Sequence, residues 1–279
     1  MKTRVITAFF FACCMLGSLF LGPFVFAAFG LLLVVVGLLE FYRLVKSTEL
    51  SPNIPAGIIL SLAVYGLAFS VLVYNKSLQN ALLLIPVVLL VFVAELYRKS
   101  STPFQNIAIT LFAVCYVAIP FSLYLALGFM GASFSFILPL SLLLLIWAND
   151  SGAYVFGITL GKNRLFERHS PKKSWEGFIG GALVAVLVGY LFSLNSDECW
   201  CQWIIMSLII VVFGTLGDLV ESMLKRSLNV KDSGTILPGH GGILDRFDGL
   251  LLAAPMVYFL LEILPAISDF LIKLDISLS

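Results

Sequence analysis

Residues 1–39 read MKTRVITAFFFACCMLGSLFLGPFVFAAFGLLLVVVGLL, and the fold class turns on whether this is one leader or two helices. The basic start and the apolar run after it suit a secretory leader. The run, however, continues past Pro23 to about Leu39 without a polar cleavage region. It therefore reads as two retained helices with a turn near Gly22–Pro23. The same kind of text fills the rest of the chain. Of the 279 residues, 60% are hydrophobic and 12% are charged, and the mean hydropathy is +1.05. A soluble domain carries about twice that charged fraction. A soluble core of this length cannot hide so much apolar surface, so the solvent is lipid. The net charge of +1 leaves no global field for nucleic acid.

A spanning helix needs about 20 mostly apolar residues. Nine segments qualify, at 5–21, 24–43, 55–74, 78–96, 104–128, 133–153, 177–194, 203–221 and 248–268. Their connections are short except roughly 157–176 and 222–247. With the N-terminus in the cytoplasm, all but Lys76 and Lys273 of the 17 Lys and Arg residues fall on the inner side, as the positive-inside rule requires. Adding or removing one early helix would spoil that split. The expected class is an all-α, polytopic integral membrane protein with about nine transmembrane helices, N-terminus cytoplasmic. It is read as one domain over 1–279, with N-terminal membrane helices roughly at 1–130 and a catalytic half roughly at 131–279. Both long polar loops then face the cytoplasm. Cys13, Cys14, Cys115, Cys199 and Cys201 show no metal-ligand spacing. A disulfide between Cys199 and Cys201 would be strained, and no redox role is assigned.

At the inner end of the eighth span, Asp218, Glu221, Ser222 and Lys225 stand at i, i+3, i+4 and i+7, which is one helix face. Ionisable groups at membrane depth are costly and mark a site by default. A snorkelling helix end accounts for Lys225 and Arg226. It accounts poorly for Asp218, which follows an uncharged run from Val211 to Gly217. Directly after comes KDSGTILPGHGGILDRFDG, residues 231–249. Lys231 and Asp232 open it; Gly234, Gly239, Gly241 and Gly242 let backbone approach a ligand closely or take a positive φ. His240 sits between two glycines. Asp245, Arg246 and Asp248 start the ninth span, where Asp245 has an alternative reading as a helix cap. Carboxylates from two elements, Asp218 and Asp245, can hold Mg²⁺ between them, since that ion takes one or two carboxylates plus substrate phosphates. Lys225, Arg226, Lys231 and Arg246 are placed to neutralise phosphate oxygens.

The loop after the sixth span carries matching chemistry. Asn149, Asp150 and Ser151 close that span, followed by Gly157-x-x-x-Gly161-Lys162. This is not a Walker A motif, and its glycines read equally well as helix-packing positions. Ser170, Pro171, Lys172, Lys173 and Ser174 form a basic, hydroxyl-rich turn that reads as a phosphate site or as a positive-inside anchor. Glu176 has no evident partner. Taken together, the residues describe a membrane enzyme that handles a phosphorylated lipid and a Mg²⁺-bound nucleotide at the cytoplasmic face.

Ser222-Met-Leu224-Lys225-Arg226, Lys231-Asp232-Ser-Gly234, Leu237-Pro238-Gly239-His240-Gly241-Gly242 and Asp245-Arg246-Phe-Asp248 resemble, in order and spacing, the signature of the phosphatidate cytidylyltransferase (CDP-diacylglycerol synthase) family. Asp150-Ser151-Gly-Ala-Tyr154, Gly161-Lys162 and Ser170-Pro171-Lys172-Lys173-Ser174-Trp175-Glu176-Gly177 resemble that family's second block. Ser151 and Ser174 stand where the family more often carries Thr, and a hydroxyl is kept. The motifs cover about a quarter of the chain; the first 130 residues match only as apolar spans.

The resemblance implies that CTP and phosphatidate give CDP-diacylglycerol and pyrophosphate for phospholipid biosynthesis, dependent on Mg²⁺ and open to a second, monovalent cation. It also implies a multi-spanning helical fold in a bacterial inner membrane, often a homodimer. Asp218 and Asp245 carry over as metal carboxylates, with Asp248 linked to the metal. Lys225, Arg226, Lys231, Asp232, His240 and Arg246 are the remaining catalytic candidates, with His240 a phosphate or pyrophosphate contact. Asp150, Ser151, Lys162, Ser170, Lys172, Lys173, Ser174, Glu221, Ser222, Gly239, Gly241 and Gly242 are the substrate-binding candidates. Two alternatives stand beside this reading. One is a CTP-dependent enzyme acting on another lipid phosphate. The other is a transporter with Asp218 and Asp150 in its pathway, which would be expected to leave polar traces on both sides of the membrane.

Overall fold

The computed structural model describes residues 2–46, 50–196, 199–236 and 241–278, with backbone alone at 2–6, 8 and 264–278. Each of the nine apolar segments coincides with a helical rod. These are α1 (Lys2–Phe20), α2 (Pro23–Lys46), α3 (Ile54–Tyr74), α4 (Leu84–Leu96, entered through a 3₁₀ stretch Leu78–Leu83), the pair α5 (Pro103–Ala113) and α6 (Ile119–Leu127), then α7 (Ile137–Leu160), α8 (Trp175–Ser193), α9 (Trp200–Ser227) and α10 (Leu244–Leu278). Among the described residues, seven rods are long and apolar enough to cross a membrane. The fold is that of an integral membrane, all-α protein. Helices dominate because a helix satisfies its own backbone groups where no water can.

Local chemistry sets the breaks. The α1–α2 turn falls where expected, with Gly22 at φ 100 and Pro23 opening α2. Asn53 caps α3 by accepting a bond from the Ala56 N–H at 3.2 Å, and Asn75 ends it in the left-handed region at φ 51. The rod α5–α6 passes through a π turn at Val114–Ala118. That turn lies just before Pro120, a residue that cannot donate to the helical ladder. Tyr42 and Tyr65 lock α2 to its neighbours by donating to the backbone oxygens of Thr110 and Ala27, at 3.2 Å and 2.9 Å.

Three boundaries differ from the sequence expectation. α7 continues to Leu160, α9 continues to Ser227, and α10 starts at Leu244. Ser222, Lys225, Arg226 and Asp245, which lie beyond the apolar bounds 203–221 and 248–268, are thus helical, as Asp150 is within α7. A helix runs through polar residues until something breaks it: Gly161 stops α7, and Asn229, at φ 55, follows the end of α9. The loop read at 157–176 also contains an antiparallel hairpin, β1 (Arg164–Phe166) with β2 (Ser170–Ser174). Three-residue Arg164–Phe166 is too short to give a strand period.

Glycines bring helices α7 to α10 together. A Cβ at Gly152 would lie 3.0 Å from the Gly181 Cα, so α7 and α8 touch backbone to backbone. This favours the packing reading of Gly157, whose Cβ would meet Gly177 Cα at 3.9 Å. A Cβ at Gly249 would stand 3.4 Å from Gly214 Cα, and one at Gly217 would stand 3.0 Å from Gly249 Cα. The close crossing of α9 and α10 thus falls next to Asp218 and Asp248. Cys13, Cys14 and Cys115 are free and exposed, on surfaces that meet lipid. Cys199 and Cys201 pair with each other at the start of α9.

Candidate active site

Two cavities meet at Asp150 and Asp218. The first has a volume of 410 Å³ and is walled by Asp150, Asp218, Asp245, Arg246 and Asp248 on one side and by Phe11, Ala12, Met15, Leu143 and Trp147 on the other. The second, of 310 Å³, is lined by Lys172, Lys173, Ser174, Asn149, Tyr154, Gly157 and Thr215 as well as Asp150 and Asp218. One chamber is acidic and half apolar; the other is basic and rich in hydroxyls. Helices α7, α9 and α10 supply the carboxylates, and β2 supplies the lysines.

Lys173 stands at the shared wall. Its ammonium is 2.6 Å from Asp218 Oδ2 and donates to the Thr215 carbonyl at 3.4 Å. Ser222 donates to the other oxygen of Asp218 at 3.3 Å. Asp218 remains 38% exposed at its side chain, so it is held in place without being covered.

Asp245 is placed differently. Lys225 pairs with its Oδ1 at 2.6 Å, and the Ser233 and Gly242 N–H groups donate to its Oδ2 at 2.9 and 2.8 Å. Both oxygens are thus taken by protein donors, whereas the sequence reading made Asp245 a metal carboxylate. The same lysine is 2.5 Å from Glu221, which is 1% exposed. Lys225 and Glu221 brace the loop against α9 and stand apart from the lining of both chambers.

Glu40, on α2, was missed by the sequence reading. It is 2% exposed. It accepts hydrogen bonds from the Ser233 hydroxyl and from the Ile243 and Leu244 N–H groups at 2.6 and 3.3 Å. These are orphan donors at the start of α10, and a carboxylate there completes the helix end. Ser233 in turn accepts from the Asp245 N–H at 3.3 Å. Gly242 must lack a side chain, because a Cβ there would overlap Glu40 Oε1; Gly241 holds φ at +81 beside Asp245. The available signal was a lone acid inside an apolar run, the same signal that singled out Asp218.

The remaining candidates divide. Asp150, Lys172, Lys173, Ser174, Arg246 and Asp248 line the chambers. Ser174 also caps α8, accepting from the Gly177 N–H at 3.1 Å. Ser151, Lys162, Lys231 and Asp232 are exposed and lie outside the lining of both. Arg226 donates to the Val230 carbonyl at 3.3 Å, and Ser170 pairs with Phe166 in the hairpin. Glu176 does have partners: it accepts from the Lys162 and Asn163 N–H groups at 3.1 and 3.2 Å and from the Asn163 amide at 2.7 Å. Gly239 and His240 lie outside the described residues.

The donor chemistry of the acidic chamber suits a hard cation, with carboxylate oxygens from Asp150, Asp218 and Asp248. Among the described residues no three Asp, Glu, His or Cys side chains converge on one point. Mg²⁺ asks for only one or two carboxylates from protein, the rest of its shell being water and substrate phosphates.

The chain matches the cytidylyltransferase family over residues 2–264. It belongs to that family. Proteins named phosphatidate cytidylyltransferase are similar along nearly their whole length. The one from Staphylococcus haemolyticus is 34% identical over 264 residues, covering 94% of this chain and 99% of the relative. The one from Bacillus subtilis is 34% identical over 269 residues, covering 94% and 98%. That of Staphylococcus aureus strain COL is 35% identical over 267 residues, covering 94% and 99%.

Proposed function

We propose that this chain transfers the cytidylyl group of CTP to phosphatidate, giving CDP-diacylglycerol and pyrophosphate, at the cytoplasmic face of a bacterial cell membrane. The observation that carries the reading is the junction at Asp150 and Asp218 of a basic, hydroxyl-lined chamber with an acidic one backed by apolar α1. A lipid phosphate and a nucleotide need such neighbouring walls. The cytoplasmic side is supported by the clustering of all but two of the 17 basic residues at one end of nine spans.

One oxygen of the lipid phosphate attacks the α-phosphorus of CTP in line. The bond from that phosphorus to the β-phosphate oxygen breaks, and pyrophosphate leaves with the electron pair. The nucleophile is already an anion at neutral pH, so no strong general base is needed. The protein's work is positioning and charge neutralisation. Lys172 and Lys173 bind phosphate oxygens from β2, and Arg246 does so from α10. Asp218 and Asp248, with Asp150 beside them, are the residues that would hold Mg²⁺. When bound there, Mg²⁺ neutralises charge on the triphosphate. Asp245, Lys225 and Glu40 keep the loop and the start of α10 in register.

The test uses the purified full-length protein in detergent with α-labelled CTP, Mg²⁺ and phosphatidate. The reading expects lipid-soluble label and pyrophosphate in equal amounts. No transfer beside an active control, with solute flux in vesicles instead, would overturn it in favour of a transporter.

A further inference from the structure

A second apolar space adjoins the acidic chamber. It is a groove of 450 Å³ between α1 and α2. On α1 its wall includes Thr7, Phe11 and Cys14, and on α2 it includes Phe29, Leu33 and Val36. Both sets repeat at i, i+4 and i+7, which is one face of each helix. The two helices are joined by the turn at Gly22 and run antiparallel. Counting outward from that turn at equal rise, Thr7 stands level with Val36, and Cys14 stands level with Phe29. The groove therefore runs along the helices, with one end at Thr7 and the other deeper among the spans.

Its Thr7 end opens on the site. Thr7 and Phe11 line both this groove and the chamber of Asp218 and Asp248. Ile236 and Ile243, from the segment before α10, also line the groove. A molecule whose phosphate sits among the chamber's charged groups thus has an apolar groove adjoining it across Thr7 and Phe11, lined among the described residues by no charged side chain.

We propose that this groove holds one acyl chain of the lipid phosphate substrate. The proposal rests on the reading of the chain as an enzyme acting on a lipid phosphate, and adds where the tail lies. Lipid tails are as apolar as the groove wall, so the groove contributes orientation rather than transfer out of water. It fixes the direction from which the phosphate enters the chamber. Orientation of that kind is sensitive, because a misplacement of about 1 Å costs on the order of 100-fold in rate.

Cys14 gives the test. It is free and exposed, lies seven residues from Thr7 in the groove wall, and stands about 10 Å along α1 from it. A dihexanoyl chain ends short of that depth, whereas a dioleoyl chain passes it. Cys14→Trp fills the groove there. Cys13→Trp, one residue away and outside the groove lining, is the control. The ratio of kcat/KM for dioleoyl over dihexanoyl phosphatidate is expected to fall on the order of tenfold in Cys14→Trp and to stay at the wild-type value in Cys13→Trp. A ratio unchanged in Cys14→Trp, or shifted equally in both, would overturn the proposal. Loss of fold lowers both rates together and leaves the ratio alone.

A second measurement covers poor accumulation of the tryptophan variants. In a Cys13→Ser, Cys115→Ser background, dioleoyl phosphatidate is expected to slow maleimide labelling of Cys14 while the dihexanoyl lipid is not. Equal labelling in both overturns the proposal. A wild-type protein that turns over neither lipid overturns the functional reading, and the groove's assignment with it.

Discussion

Two polar regions near the ends of these helices are built from the same residue types to different ends. In the N-terminal half, Glu95 takes Arg98 on one oxygen at 2.8 Å and the Asn106 amide on the other at 2.9 Å. Asn106 accepts from the Ser51 N–H at 3.0 Å and donates to Ser100 at 2.7 Å. Every partner is protein, and the knot ties α4, α5 and the entry to α3 together. In the catalytic half, Asp218 is also paired, yet it opens on two chambers. The contrast teaches that a buried charge marks a site only when its remaining surface faces space. Glu95 is more deeply buried than Asp218, at 2% against 38% exposure of the side chain, and lines neither chamber.

Breaking the open region should cost rate. Asp248→Asn is expected to lower the transfer rate by about 1000-fold, as loss of one preorganised electrostatic group does, with the melting temperature in detergent unchanged. Next comes the brace between the halves. Glu40→Ala leaves the Ser233 hydroxyl and two N–H groups of the α10 start without their acceptor. It is expected to lower stability on the order of 3 kcal/mol and to reduce turnover as well; melting and rate measured together check this. Breaking the closed region should separate the two effects. Glu95→Ala is expected to cost about 2 kcal/mol of stability while turnover per folded molecule stays at the wild-type level. The smallest change sharpens the chambers' roles. Lys172→Ala, at an exposed position on β2, is expected to raise KM for one substrate by severalfold, on the scale of about 1 kcal/mol for a lost charge-assisted contact, with kcat retained. Initial rates with each substrate varied in turn would identify which.

Much of this architecture was legible in the chain. Composition alone called for lipid as the solvent, and the apolar segments fall on helices, seven of which, among the described residues, are long and apolar enough to cross a membrane. Asp218 was legible because seven uncharged residues precede it, and the Lys172–Ser174 turn because its charges and hydroxyls are contiguous. What escaped was long-range. Glu40 meets its partners across 193 to 204 residues of sequence, and no local pattern records such a pairing. Asp245 was recognised as important, but not that its oxygens turn to Lys225, Ser233 and Gly242. Residue type gives the chemistry available, and only packing decides which atoms consume it. The α1 wall of the chamber was equally hidden, because Phe11 and Met15 look like any other lipid-facing residues in a leader-like run.

The central claim is that the Asp218 carboxylate acts in transfer at the junction of the chambers rather than in holding the fold. The direct measurement is the rate of label transfer from CTP to phosphatidate by purified Asp218→Asn across a Mg²⁺ titration, with melting recorded alongside. The account predicts no transfer at any Mg²⁺ concentration from a protein that melts like the wild type. A variant that keeps the wild-type rate at limiting Mg²⁺ would contradict it.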